Sequence, residues 1–251
     1  MSINLSAIVL THNEEKNIKG CLKCLGFCDE IIVIDDNSSD KTAILAKTAG
    51  ARVYERSLNS SFSAQRNYGL GRTQGKWVFF VDADERISDS LRNEIIQIIN
   101  DPLINYMGFY VKRTDYLWGK ELKHGETANI SLVRLARRKA GKWTRRVHET
   151  WEINGRTREL KNSLSHYPHP TLTSFVNSIN TMSVLHAQAN LEEGKKSTLI
   201  KIIVWPIGKF LSNYLLKRGF IDGVRGLMVA LVMSFHSYLA WSKLWLLQRE
   251  K

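Results

Sequence analysis

Proline is scarce in this chain, four residues in 251, and cysteine is scarcer, with three. So little proline excludes a Pro-rich spacer or docking segment. Three cysteines exclude a disulfide scaffold. Cys21, Cys24 and Cys28 crowd into one short stretch that reads as a helix. Cys21-x-x-Cys24 has the spacing of a redox or zinc pair, but no second pair and no neighbouring His completes a metal site. They read as reduced thiols packed on a helix face. A basic segment, apolar core and cleavage site are missing ahead of the first strand, so no secretion signal is expected. Internal repeats and low-complexity tracts are absent too.

Acidic residues are sparse in the second part of the chain. Residues 1–100 carry 12 Lys+Arg against 13 Asp+Glu, whereas residues 101–251 carry 24 against 11. The whole net charge of +12 therefore belongs to the second part, which calls for an anionic partner. The seven Trp and the basic stretch 134–146 raise nucleic acid as that partner. No nucleic-acid motif accompanies them, and carboxylates at the strand ends would repel a phosphate backbone, so none is expected.

Residues 5–10, 31–34, 51–54 and 77–81 are short apolar runs rich in β-branched and aromatic residues, the pattern of buried strands. Helical stretches over about 15–27, 41–49, 63–73 and 89–99 separate or follow them, the last capped by Ser88. Such β-α alternation predicts an α/β fold, a doubly wound and mostly parallel sheet, whose ligands sit at the carboxyl ends of the strands. Three of the four strand ends carry polar clusters: Thr11–Glu14, Asp35–Asp40 and Asp82–Asp84. Asp82-Ala83-Asp84 follows the strand Trp77–Val81, and two carboxylates so placed can hold Mg²⁺ or Mn²⁺ against substrate phosphates.

Residues 105–165 read as β-rich and basic. Beyond Pro168 the composition turns helical, over 171–193, 198–216 and 222–247. The last two are strongly apolar yet studded with Lys and Arg. No clean run of about 20 apolar residues occurs. Lys201, Pro206 and Lys209 interrupt one, and Arg225, His236 and Lys243 the other. Both suit helices lying on an anionic membrane surface.

In order and spacing these pieces resemble glycosyltransferase family 2, and within it the bacterial enzymes of lipopolysaccharide core assembly. The resemblance rests on Val9-Leu10-Thr11-His12-Asn13-Glu14-Glu15, Asp29–Thr42, Ala64-Gln65-Arg66-Asn67, Asp82–Arg86, Val147-His148-Glu149, His166-Tyr167 and Tyr214–Gly223. It implies a GT-A fold over residues 1–170, with a nucleotide-sugar half (1–100) and an acceptor and base half (101–170). A helical, basic, membrane-associating extension (171–251) follows. The implied activity is inverting transfer of a sugar such as glucose from a UDP-sugar to a lipid-linked saccharide, the lipopolysaccharide inner core. A divalent metal is the implied cofactor. The implied location is the cytoplasm, at the inner face of the cytoplasmic membrane.

By the same resemblance Thr11, Asn13 and Glu14 contact the nucleoside. Asp35 or Asp36 accepts from the uracil imide or a ribose hydroxyl, and Arg66 faces the pyrophosphate. Asp82 reaches ribose or metal, Asp84 binds the metal, and His166 is a late metal ligand. Glu149 takes the acceptor's proton, with Asp115 as second choice; the structural alternative pairs Glu149 with Arg145, Arg146 or Arg156. Two departures stand out. Glu126–Ser131 replaces an aromatic-Pro-Asp stretch on the acceptor side, and Asp35-Asp36-Asn37 replaces a more usual Asp-Ser-Gly. Two rivals remain: a polyprenyl-phosphate sugar transferase, and a non-catalytic membrane scaffold that keeps the fold.

Overall fold

The computed structural model describes residues 4–59, 61–128, 130–146 and 149–249. The apolar runs form parallel strands: β1 (Leu5–Thr11), β2 (Glu30–Asp35), β3 (Arg52–Glu55) and β4 (Trp77–Asp82). Between them lie α1 (Ile18–Cys24), α2 (Thr42–Thr48) and α3 (Phe62–Arg72). A three-residue strand, β5 (Glu85–Ile87), follows the acidic turn, and α4 (Asp89–Asn100) follows it, its N-terminus capped by the Ser88 hydroxyl at 3.2 Å from the Leu91 amide. Strands β6 (Gly108–Leu117), β7 (Lys120–Glu121), β8 (Ile130–Arg137), β9 (Gly141–Thr144), β10 (Thr150–Ile153) and β11 (Thr157–His166) come next. The chain ends in α5 (Leu172–Glu192), α6 (Leu199–Leu211), two short turns and α7 (Val224–Leu247).

The main sheet runs β3-β2-β1-β4-β8-β6-β11-β5, with β7 beside β6. Its first four strands are parallel; β8 joins β4 and β6 antiparallel, and β5 joins β11 antiparallel. The pleat splits the core by residue parity. Leu5, Ala7, Val9, Trp77, Phe79 and Val81 pack with α1 and α4 on one face, while Ile8, Val78 and Phe80 pack with Trp143 and Trp151 of the β9–β10 hairpin on the other. Phe80 meets both tryptophans edge-on at 4.9 Å, and the tryptophans stack on each other. This aromatic floor lies directly under one side of the site.

The chain divides into two compact units. The first joins Met1–Arg113 with Ile130–His166, and the second joins Thr114–Asn129 with Tyr167–Lys251. Sequence alone reads residues 114–129 with the acceptor half; the fold groups them with the C-terminal helices. Inside the second unit, Asp222 accepts from the amides of Lys123 and His124, and Lys209 and Asn213 donate to Glu126. Glu126, which stands where the aromatic-Pro-Asp stretch was expected, is thus bound to the helices. Burial opposes its charge, but Lys209 and Asn213 hold its carboxyl below the usual range.

The three cysteines are free thiols. Burial raises all three above the ordinary thiol value, so they are poor nucleophiles and poor metal ligands.

Candidate active site

The ladder aligns the polar strand ends. Thr11 stands opposite Asp35, and Leu10 opposite Asp82. The clusters therefore share one edge of the sheet, the carboxyl edge of its parallel strands. The first two are laced together. Asn13, at φ 55°, accepts from the Ser39 amide, and its own amide donates to Ser38 Oγ at 2.8 Å. Asp35 is 1% exposed and accepts from the Ser38 amide and hydroxyl. Asp36 accepts from the Leu58 amide through Oδ1, while Oδ2 lies 3.8 Å from His12. Asp36 is thus the less committed of the two carboxylates. Thr11 Oγ1 is buried without a hydrogen-bond partner among the described residues. Burial pushes the Glu14 carboxyl up, and the charges of Asp84 and Asp40 push it further, against a hydrogen bond from Asn17.

Arg66 projects from α3 into the centre. Its guanidinium lies 4.7 Å from the Trp143 ring centroid and 5.7 Å from that of Phe80. Nε donates to Glu149 at 2.9 Å and Nη2 to Asp82 at 3.1 Å. Nη1 is buried and has no partner among the described residues. Native structures rarely leave such a donor unanswered unless a ligand answers it. Glu149 therefore pairs with Arg66 across 83 residues of sequence. Its second carboxylate oxygen has no protein partner among the described residues. Val147 and His148, quoted beside it in the motif, lie outside the described residues. Asp115, the second choice for the base, is 1% exposed within β6 and belongs to the other unit.

Two residues central to the site were missed at the sequence level. Arg134 donates to Asp82 at 2.9 Å and to Glu85 at 2.5 Å. Glu85 is fully buried and its other oxygen accepts from the Asp82 amide at 2.8 Å. Glu149, Arg66, Asp82, Arg134 and Glu85 thus form an unbroken chain of alternating charge. Burial opposes the charge on Asp82, but Arg134 and Arg66 hold its carboxyl far below the usual range. Burial pushes Glu85 up to about 7, with Arg134 opposing and Asp82 reinforcing.

A β-bulge aims Arg134. The β6–β8 register steps from Phe109 opposite Leu135 to Tyr110 opposite Val133, which leaves Arg134 as the extra residue. Val133 and Leu135 consequently pack in opposite core clusters. The clue in the sequence was a lone cation inside the apolar run Leu132–Ala136, which a buried strand tolerates only with a partner. Arg134→Met would leave the buried Glu85 without its cation and Asp82 with Arg66 alone. We expect a loss of about 3–5 kcal/mol in urea unfolding at pH 7, with a smaller loss for Arg134→Lys.

A divalent ion implied by the family resemblance has a fitting pair of ligands. The Asp84 carboxylate lies 3.2 Å from His166 Nε2, and both side chains are partly exposed. One carboxylate and one imidazole nitrogen, completed by water and substrate phosphates, suit Mn²⁺ better than the oxygen-seeking Mg²⁺. Among the described residues no group of three or more His, Cys, Asp or Glu side chains converges as a complete cage. The register brings the pair together, since His166 stands opposite Glu85 across the β5–β11 ladder. Asp82 is nearby but has an arginine on each oxygen.

The profile described as "Glycosyl transferase family 2" matches residues 6–175. The chain is 27% identical to the lipopolysaccharide core biosynthesis glycosyltransferase LpsC of Rhizobium meliloti, covering 96% of this chain and 92% of that protein. It is 25% identical to an uncharacterized glycosyltransferase of Rickettsia typhi, covering 96% and 86%. Among solved structures, residues 1–349 of S. aureus TarS in complex with UDP align at a TM-score of 0.51 and 16% identity, covering 99% of this chain and 92% of that one. At that identity the likeness is one of fold.

Proposed function

This chain belongs to glycosyl transferase family 2, and from that premise we propose that it is an inverting, metal-assisted enzyme of lipopolysaccharide core assembly. In this reading it moves a sugar from a UDP-sugar to a lipid-linked saccharide. The observation that carries the proposal is the unanswered Nη1 donor of Arg66, buried amid Asp82, Glu149 and the aromatic floor. A buried cation with a spare N–H is a seat for an anion, and the departing diphosphate is the anion this reaction produces.

Direct displacement asks three things of the protein. The nucleoside must be gripped, for which Thr11 Oγ1 and Asp36 Oδ2 are the uncommitted groups, with Asn13, Glu14 and Asp35 shaping the loops around them. The acceptor hydroxyl must lose its proton, and Glu149 has a spare carboxylate oxygen for it. As the acceptor oxygen bonds to the anomeric carbon, the bond from that carbon to the diphosphate breaks, and Arg66 meets the charge that appears on the leaving group. A divalent ion held by Asp84 and His166 would supply further neutralisation of that charge. Asp82 and Glu149 keep Arg66 in place, since a guanidinium anchored at two corners has lost most of its rotamer freedom.

The LpsC relative supports an acceptor in the lipopolysaccharide core, and hence work at a membrane surface. Leu199–Leu216 and Val224–Leu247 are long and apolar enough to cross a membrane by length and composition, and only 6% of the first is buried. A core helix of that composition would be covered. Leu199, Ile203, Ile207, Leu211 and Leu215, spaced by four, are all exposed and form one apolar stripe. Seven cations and one carboxylate lie between residues 194 and 225. We assign this surface to peripheral contact with anionic lipid.

The test is donor profiling. Purified protein with Mn²⁺ is offered UDP- and GDP-sugars, UDP-glucose first, and free nucleoside diphosphate is measured. Slow hydrolysis of one UDP-sugar is expected even without acceptor. No turnover of any nucleotide sugar, with or without lipopolysaccharide core, would sink the proposal.

A further inference from the structure

An open groove of about 850 Å³ lies among α5, α6 and α7, wholly within the second unit. Its volume falls in the range of about 300–1,000 Å³ usual for small-molecule sites. Most of its wall is apolar or aromatic, and three lysines stand on its lining. Trp205 and Trp241 meet edge-on at a centroid separation of 6.1 Å. Two of the lysines are neutralised: Lys195 pairs with Glu193 and Lys209 with Glu126. Lys201 is not. Its ammonium donates to the Lys196 carbonyl and lies 4.9 Å from the Trp241 ring centroid, with no carboxylate partner among the described residues. The space beside Gly208 is open, since a Cβ added there would meet nothing within 4 Å.

One helix thus presents two kinds of face. The 199-203-207-211-215 row is apolar and exposed, while Lys201, Trp205 and Gly208 line the groove. An uncompensated ammonium beside an apolar, aromatic-walled space matches a ligand with a phosphate at one end and hydrocarbon at the other.

We propose that this groove binds a single anionic phospholipid, an acyl chain between Trp205, Gly208, Ala240 and Trp241 and the phosphate at Lys201. The occupant is a lipid of the bilayer and not free phosphate, because most of the wall is apolar and would gain nothing from an inorganic ion. The site adds to the membrane contact proposed above. It differs from that contact in being saturable at one lipid per chain.

The experiment is native mass spectrometry of the full chain, delipidated in detergent and titrated with phosphatidylglycerol or phosphatidylcholine, alongside sedimentation with vesicles of the same lipids. One phosphatidylglycerol adduct is expected at low lipid, with phosphatidylcholine weaker. Gly208→Phe, which fills the space, should remove the adduct. Lys201→Glu should weaken it by roughly tenfold or more. Lys196→Glu, a neighbouring exposed cation outside the groove, should retain it. Circular dichroism and thermal unfolding establish that each variant is folded. Adducts that are absent, equal for both lipids, or unchanged by Gly208→Phe overturn the groove site. If vesicle binding persists in those cases, the surface contact stands without it; if vesicle binding is lost as well, both fall.

Discussion

Glu149→Gln should lower sugar transfer to a hydroxyl acceptor by about 10²–10⁴-fold, the usual worth of a positioned general base. The substitution is close to isosteric. Its carbonyl can still accept from Arg66 Nε, which lies 2.9 Å from the present carboxylate. Arg66 therefore stays stacked on Trp143, and binding of the donor should be unchanged by calorimetry. Only the group that takes the proton is lost. The same variant separates the rival acceptor class. A polyprenyl phosphate is already ionised and needs no base, so its transferase would be almost indifferent to Glu149→Gln. Full transfer by the variant to a sugar hydroxyl would remove Glu149 from the mechanism.

The ion pair to Arg66 shapes how this carboxylate works. Here Asp82 engages the same guanidinium, and Arg134 bridges Asp82 onward to Glu85. The charge of Arg66 is thereby shared between two carboxylates. One cation orients the base and offers its remaining N–H to the leaving group, which explains why it is buried and stacked instead of free to swing.

Much of this was legible in the sequence, and the residues that were not share a cause. The buried strands β1, β2 and β4 were readable because unbroken β-branched and aromatic runs have few alternatives. The edge they share followed from parallel topology alone, so Thr11, Asp35 and Asp82 could be grouped before any coordinates. Strand β5 was not readable. Three residues carry no periodicity, and Glu85–Ile87 is a strand only because Leu164–His166 pairs with it, some 77 residues away. Arg134 was hidden by its bulge, since strict alternation would have put Val133 and Leu135 on one face and turned the arginine elsewhere. The Arg66–Glu149 pair was likewise hidden, because the ion-pair alternative weighed for Glu149 named only arginines close to it in sequence. Helices α6 and α7 were legible as apolar segments, but the groove beside them depends on which rows of side chains face each other.

Asp84→Ala is the second large effect we expect. Wild-type affinity for UDP should rise on adding Mn²⁺, and the variant should lose that rise while keeping its metal-free affinity. The two parts separate because Arg66, the other anion-binding group, contacts Asp82 and Glu149 and not Asp84. Calorimetric titration with UDP, with and without Mn²⁺, reads this without any turnover. Transfer should fall by at least about 10²-fold, on the scale seen when one preorganised stabiliser of developing charge is removed. His166→Ala should produce the same loss of metal response in weaker form, because a carboxylate contributes charge as well as a lone pair. An equal Mn²⁺ response in wild type and Asp84→Ala would show that Asp84 is not a ligand, leaving its 3.2 Å contact with His166 as an ordinary ion pair. Silence of both variants, in a chain that turns over no donor, would favour the scaffold reading, since a retained fold does not require retained chemistry.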